Sequence, residues 1–234
     1  MIELFQLDKS LHFPSPAHAL TDPPGLLAFG GDLSVNRLLH AYQQGIFPWF
    51  SVNEPILWWS PNPRGILPLD NFSVSKSLRK FVRKTSLRVT VNKRFDGVIY
   101  ACARVKRQSS GTWITDEMIN AYIELHRCGH AHSIEVWDDE ELVGGLYGVI
   151  PGNVFCGESM FHYATNASKL AMFYLVELLR QNGCEFIDCQ LQNDHLASLG
   201  CIEIPRAEFL NKLKEAVKQP MDQSLWLPRE LTQP

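Results

Sequence analysis

The chain has 234 residues, 45% of them hydrophobic and 20% charged, with a formal net charge of −3. That is the profile of an ordinary globular protein of one large domain or two unequal ones, long enough to bury a core without staples. It holds no apolar run of about 18 residues, and its first residues, MIELFQLDKS, carry neither a basic start nor an apolar stretch, so neither a membrane span nor a signal peptide is expected and the location is expected to be cytoplasmic.

The first sixty-odd residues are rich in Pro, Gly and aromatics. Residues 35–44 form their one clear helical stretch, with Asp32 or Ser34 as its cap. The segment Ser60-Pro61-Asn62-Pro63-Arg64-Gly65 reads as a connection. A boundary is placed there, giving a small N-terminal domain over residues 1–62 and a larger one over 63–234.

Residues 75–84 read as a basic amphipathic helix. Lys76, Arg79, Lys80, Arg83 and Lys84 recur at i, i+3, i+4, i+7 and i+8 on one face, while Leu78, Phe81 and Val82 turn inward. The modest net charge hides this block. Residues 71–115 hold eleven Lys or Arg against one acid, Asp96, a net +10, so the rest of the chain is −13. This asymmetry points to a local site for a polyanion, and the uncompensated helix favours phosphate over a merely solvated face. A strand is predicted over 87–92. Thr115 caps a helix running to about Cys128, which Gly129 ends.

Residues 133–137 and 141–150 read as strands joined by Asp138-Asp139-Glu140, with a turn at Pro151-Gly152-Asn153 and then a strand over 154–160. A helix is predicted over 166–181, stopped by Asn182-Gly183, and then a strand over 186–191. Antiparallel strands, a helix and a further strand is the layout of the GNAT acyltransferase core, an α+β fold with a mixed, mostly antiparallel sheet. Acetyl-CoA users of that fold carry a glycine-rich phosphate loop where the helix begins. Here the place holds His162-Tyr163-Ala164-Thr165-Asn166-Ala167-Ser168, without glycine, which disfavours close approach of a pyrophosphate.

Several side chains are candidates for chemistry. Glu158 lies in the apolar run Phe155-Cys156-Gly157-Glu158-Ser159-Met160-Phe161, and Gly157 suggests a bulge or a close ligand. It is either a solvent-facing strand residue or a carboxylate that holds a cationic or amine substrate. Asp188 and Gln190 share a strand face by the period of two, with Cys189 opposite. They form either a satisfied core network or a site that orients an amine. In Asn193-Asp194-His195, Asp194 is expected to cap a turn, and His195 is either a structural histidine or, the favoured reading, a ligand contact. Trp49, the pair Trp58-Trp59 and Trp113 lie in turn-like sequence, as packed lids or as platforms for a nucleobase. The six cysteines, Cys102, Cys128, Cys156, Cys184, Cys189 and Cys201, are expected to stay reduced. Cys184, Cys189, His195 and Cys201 are close in sequence but lack a CxxC pair, so no metal is expected.

Phe29-Gly30-Gly31-Asp32-Leu33-Ser34, Gly45-Ile46-Phe47-Pro48-Trp49-Phe50-Ser51, Trp58-Trp59-Ser60-Pro61-Asn62-Pro63-Arg64, Gly111-Thr112-Trp113-Ile114-Thr115, the segments 129–137 and 155–161, Asn166-Ala167-Ser168-Lys169 and the segment 187–205 together resemble the leucyl/phenylalanyl-tRNA–protein transferases. The likeness runs from near residue 4 to about Pro228. It implies a small N-terminal domain and a GNAT-like catalytic domain. It also implies transfer of Leu or Phe, less well Met, from charged tRNA to proteins beginning with Arg or Lys, marking them for N-degron degradation. No cofactor, metal or nucleotide is implied. The family's catalytic groups fall on Asp188 and Gln190, with Glu158 holding the acceptor. Its base-stacking tryptophans fall on Trp49 and Trp113, and its tRNA-contacting cluster falls on residues 79–84 and their neighbours.

The residues are consistent with such chemistry. An aminoacyl ester is already activated, so positioning an amine against its carbonyl is the main task. Leu146, Phe155, Met160, Met172, Leu175 and Leu179 are candidates to line the side-chain pocket. A monomer is expected, although the residues themselves do not fix the oligomeric state, no heptad or large exposed apolar face being evident. An acetyltransferase of the same fold and a non-catalytic tRNA-binding module are the alternatives.

Overall fold

In a computed structural model, residues 4–105 and 114–232 are described. The chain is a mixed α+β protein with two mixed sheets. In order, it runs β1 (Phe5–Leu7), β2 (Leu26–Gly30), α1 (Val35–Gln43), β3 (Phe47–Pro48), β4 (Leu57–Trp59), β5 (Arg64–Pro68), α2 (Lys76–Lys84), β6 (Arg88–Val91), α3 (Phe95–Arg104), α4 (Asp116–Arg127), β7 (Ala131–Asp138), β8 (Glu141–Gly152), β9 (Val154–His162), α5 (Ala167–Gln181), β10 (Phe186–Gln190), α6 (Asp194–Ser198), β11 (Ile202–Ile204), α7 (Arg206–Val217) and β12 (Arg229–Glu230).

The first four strands form one sheet in the order β1-β2-β4-β3, and the rest form an eight-stranded sheet, β11-β5-β10-β9-β8-β7-β6-β12. The connection expected over residues 60–65 therefore ends in an interior strand, next to the edge strand β11. Arg64 opens β5, which pairs with both β10 and β11. The Pro-rich approach hid it, because Gly-Ile-Leu-Pro gives too short a run to show a period.

Helix caps reflect the side-chain chemistry. The hydroxyls of Ser34, Ser75 and Thr115 accept backbone N–H groups of Arg37, Leu78 and Met118, each satisfying a donor that the first turn leaves free. Asp32 instead accepts the Ser34 N–H at 2.9 Å and pairs with Arg37 at 3.2 Å. Helices α3 and α7 had no clear sequence signal, and neither has a side-chain cap.

The large sheet is covered on both faces. Tyr147, Val149, Cys156 and Phe161 pack into a core shared with α1, α3, α4 and the N-terminal sheet. Ile134, Val136, Leu146 and Phe155 pack on the other side against α5 and the buried face of α2. Strand β8 is accordingly buried on both faces through most of its length, which is why it reads as a nearly continuous apolar run.

Strands β9 and β10 are parallel and joined by α5. They pair only at Ile187 with Phe155 and at Asp188 with Cys156. Beyond those residues, toward their carboxyl ends, the strands separate and a crevice opens between them. Among the described residues, no helix is long and apolar enough to cross a membrane.

Candidate active site

The crevice is a cavity of about 400 Å³, within the size range of small-ligand sites. Of the residues the sequence offered for a side-chain pocket, Leu146, Phe155, Met160, Met172 and Leu175 line this cavity. Leu179 does not: it is fully buried in the core on that helix's packed face. Phe47, Pro48 and Trp49 form one wall, and Gln190, Leu191, Asn193 and His195 form another. Trp49 is 42% exposed. Its backbone carbonyl accepts the Trp59 indole N–H at 2.6 Å, and the two rings lie 5.5 Å apart. Trp58 is instead a core residue bonded to the Gly30 carbonyl. Trp113 lies outside the described residues.

Two β-bulges aim polar side chains at this cavity. Tyr147 opposes Ser159 and Gly148 opposes Gly157, so Glu158 is the extra residue of β9. Asp188 opposes Ile66 and Gln190 opposes Gly65, so Cys189 is the extra residue of β10. A bulge breaks the period of two and re-aims the side chains beyond it. The expectation that Asp188 and Gln190 share a face fails for this reason. Cys189 and Gln190 both border the cavity, and Asp188 does not. Gln190 takes a left-handed φ of 62°. The chain beyond it turns back over Gly65, where a Cβ would stand 2.9 Å from the Gln192 nitrogen. Only glycine leaves room for that approach.

Asp188 is fully committed elsewhere. Its Oδ1 accepts Arg64 Nε at 2.8 Å and its Oδ2 accepts Arg64 Nη2 at 2.7 Å, a bidentate pair with both side chains 1% exposed. Oδ1 also accepts the Gln190 backbone N–H at 2.9 Å. Arg64 Nη1 donates to the Gly45 carbonyl at 3.1 Å, and the guanidinium lies between the Phe47 and Phe209 rings at 4.9 and 4.4 Å. Planar geometry and weak hydration suit Arg to this buried, stacked position. The pair therefore clamps the bulge that carries Gln190.

Glu158 gathers the other polar groups. Its Oε1 accepts Gln190 Nε2 at 2.7 Å and the Tyr42 hydroxyl at 2.7 Å. Tyr42 is in turn hydrogen-bonded to the Tyr122 hydroxyl. Tyr42 comes from α1 and Tyr122 from α4, so three separate elements meet at one carboxylate. Glu158 keeps some accessible surface because it borders the cavity. Burial nevertheless raises its pKa to about 7, against the hydrogen bonding of Tyr42, Tyr122 and Gln190, which would lower it. Burial, and after it the charge of Glu158, holds both phenols well above their usual range.

His195 is exposed on the cavity wall, and burial of its ring, then Lys169 and His162, lower its pKa. Asn193, not Asp194, caps the short helix α6, accepting the Leu196 N–H at 2.9 Å. Among the described residues, no group of three or more His, Cys, Asp or Glu is placed to hold a metal ion. Lys76, Arg79, Lys80, Arg83 and Lys84 all stand exposed on α2, while Leu78 and Val82 are buried beneath them. Among the described residues, none of these five cations has an ion-pair partner.

Sequence reasoning missed Tyr42, Tyr122 and Arg64. The tyrosines sit on the apolar stripes of their helices and read as core. Only the run Pro63-Arg64-Gly65-Ile66-Leu67, with a cation entering an apolar strand, carried a signal for Arg64.

The sequence pattern described as leucyl/phenylalanyl-tRNA protein transferase matches residues 66–214, and that of the family's N-terminal domain matches residues 31–62. The leucyl/phenylalanyl-tRNA–protein transferase of Pseudoalteromonas atlantica is 94% identical over 234 residues, covering 100% of both chains. That of Tolumonas auensis is 55% identical over 231 residues, covering 99% of each. That of Pectobacterium carotovorum is 54% identical over 234 residues, covering 100% of this chain and 99% of its own. With likeness of this extent, and a family pattern spanning the strands, bulges and helix that build the cavity, the chain belongs to the leucyl/phenylalanyl-tRNA–protein transferase family.

Proposed function

We propose that the protein moves a leucyl or phenylalanyl group, and less readily a methionyl group, from aminoacyl-tRNA to the N-terminal α-amino group of proteins beginning with Arg or Lys. Family membership makes it an acyltransferase acting with aminoacyl-tRNA. The finer statement is supported chiefly by the cavity, an apolar pocket of about 400 Å³ whose lining includes Glu158 and Gln190, hydrogen-bonded to each other. Such a pocket takes an apolar amino-acid side chain and leaves its ester beside the polar groups.

The reaction asks little beyond positioning. The ester is activated, and holding an amine against its carbonyl replaces a bimolecular encounter. Gln190 orients the reacting groups, Asp188 fixes Gln190, and Glu158 meets the acceptor's α-amino group. Trp49, with Trp113, stacks the terminal base of the tRNA, and His195, which borders the same cavity, contacts the substrate. The division into a small domain over residues 1–62 and a GNAT-like catalytic domain over 63–234, a monomeric state, independence of cofactors and a cytoplasmic role in N-degron degradation belong to the same proposal.

The exposed face of α2 is the proposed tRNA contact. Changing Arg79, Lys80, Arg83 and Lys84 together to Glu is expected to weaken Leu-tRNA binding at least about tenfold. The slope of log Kd against log salt should also flatten, since each lost phosphate contact removes roughly 0.7 to 0.9 from it. Filter binding at several salt concentrations reads both, and an unchanged slope removes α2 from the interface.

The reaction itself is tested with labelled leucine on Leu-tRNA and a protein with N-terminal Arg, with the same protein bearing N-terminal Gly as control. Transfer to the Arg protein alone is the expected result. Tight binding of Leu-tRNA without transfer to any acceptor would leave a tRNA-binding module and remove the catalytic roles.

A further inference from the structure

We propose that Glu158 takes the proton from the attacking α-amino nitrogen and delivers it to the ribose oxygen as the ester bond breaks. This rests on reading the site as an aminoacyl-transfer centre. The step balances without an outside reagent. The nitrogen–carbon bond forms, the bond from the carbonyl carbon to the ribose oxygen breaks, the nitrogen loses one proton and the ribose oxygen gains one. A carboxylate that accepts the first and returns the second ends as it began.

The geometry leaves few other acceptors. Both oxygens of Asp188 are held by Arg64, Oδ1 also takes the Gln190 N–H, and Asp188 does not border the cavity. Gln190 is a neutral amide whose nitrogen already donates to Glu158. The Cys189 thiol is held well above its usual range, first by hydrogen bonding with the Cys201 thiol and then by burial, so it stays protonated. Glu158 borders the cavity at a bulge, and its partners suit either protonation state. With the carboxylate ionised, the Tyr42 hydroxyl donates to it and Tyr122 donates to Tyr42. With the carboxyl protonated, both hydroxyls can turn and the chain of donors runs the other way.

The groups facing Glu158 do not titrate in competition with it. Tyr42 from α1, Tyr122 from α4 and Cys156 from β9 are all held well above their usual ranges, and Asp188 from β10 is matched by Arg64 from β5. The pKa of about 7 for Glu158 supports the assignment, because an acceptor that must also return its proton works best near the operating pH. Gln190 and Tyr42 act as positioning residues for its carboxylate. Among the described residues lining the cavity, His195 is the rival base.

The test is single-turnover transfer from Leu-tRNA to a peptide with N-terminal Arg across pH 5.5 to 9, for the wild type, Glu158→Gln, Tyr42→Phe and His195→Gln. The wild-type rate is expected to rise on an acid limb centred near pH 7. Glu158→Gln should lower the rate by about 100-fold or more and erase the limb, with Leu-tRNA binding intact and peptide KM changed little. Tyr42→Phe removes a bond that favours the carboxylate, so the limb should move to higher pH. His195→Gln should keep the limb. A limb that survives in Glu158→Gln but disappears in His195→Gln overturns the proposal. So does a loss confined to peptide KM, which would make Glu158 a binding group for the acceptor's cation. A wild type that transfers from no aminoacyl-tRNA would overturn the transferase reading itself.

Discussion

Arg64→Met is expected to lower the unfolding free energy by about 3 to 5 kcal/mol and to abolish transfer. Arg64 and Asp188 are each 1% exposed and share two hydrogen bonds. Removing the cation strands a carboxylate where water cannot reach it, and that uncompensated charge is the main cost. Removing both charges is a different experiment. Arg64→Met combined with Asp188→Leu should recover most of the stability, because an apolar pair of similar volume avoids desolvation on both sides. It should recover none of the transfer. Asp188 Oδ1 is the acceptor that holds the Gln190 N–H while Gln190 sits at φ 62°, and leucine offers no such acceptor. Urea unfolding gives the stability cycle and single-turnover transfer gives the activity. A double variant that is both stable and active would make the pair a filler of the core rather than a clamp on the bulge.

Much of the second half of the fold was legible because its periods are long and regular. The β7–β8 hairpin, helix α5 and helix α2 fell within a few residues of their expected limits. Strand β5 was hidden by its prolines, and α3 and α7 by the lack of capping residues. The site was legible in part for a similar reason. Glu158, Gln190 and most of the apolar lining announce themselves as polar groups within apolar runs or as one face of a helix. The relation between Asp188 and Gln190 did not, because a period-of-two argument assumes a regular strand and the bulge at Cys189 breaks it. Tyr42 lies 116 positions from Glu158 in the chain and 2.7 Å from it in space. Only packing of α1 against the large sheet brings them together, and no local pattern encodes that distance. The same bulges that defeat the sequence rule turn the functional groups into the cavity.

Glu158→Gln should make the fold more stable than the wild type at pH 9, and by much less at pH 5. Proton linkage sets the sign. Glu158 titrates near 7 in the folded protein against a reference of 4.5. Between those values the unfolded chain releases its proton while the folded chain keeps it, so stability falls as pH rises. Above about pH 7 the full penalty applies, and below the unfolded value it is absent. A shift of this size corresponds to roughly 3 kcal/mol. Glutamine keeps the volume and an acceptor oxygen for the Tyr42 hydroxyl, and it carries no charge to desolvate. Other groups titrate over the same range, so the informative quantity is the difference between variant and wild type at the two pH values, read from urea unfolding. An equal difference at pH 5 and pH 9 would show that the carboxylate is not destabilised by its surroundings. The expected outcome, a stabler protein without transfer, is the trade-off of a site that keeps a costly charge because its chemistry needs one. The tyrosine pair, the Gln190 amide and the Arg64–Asp188 clamp then hold in place a carboxylate that burial alone would drive toward its neutral form.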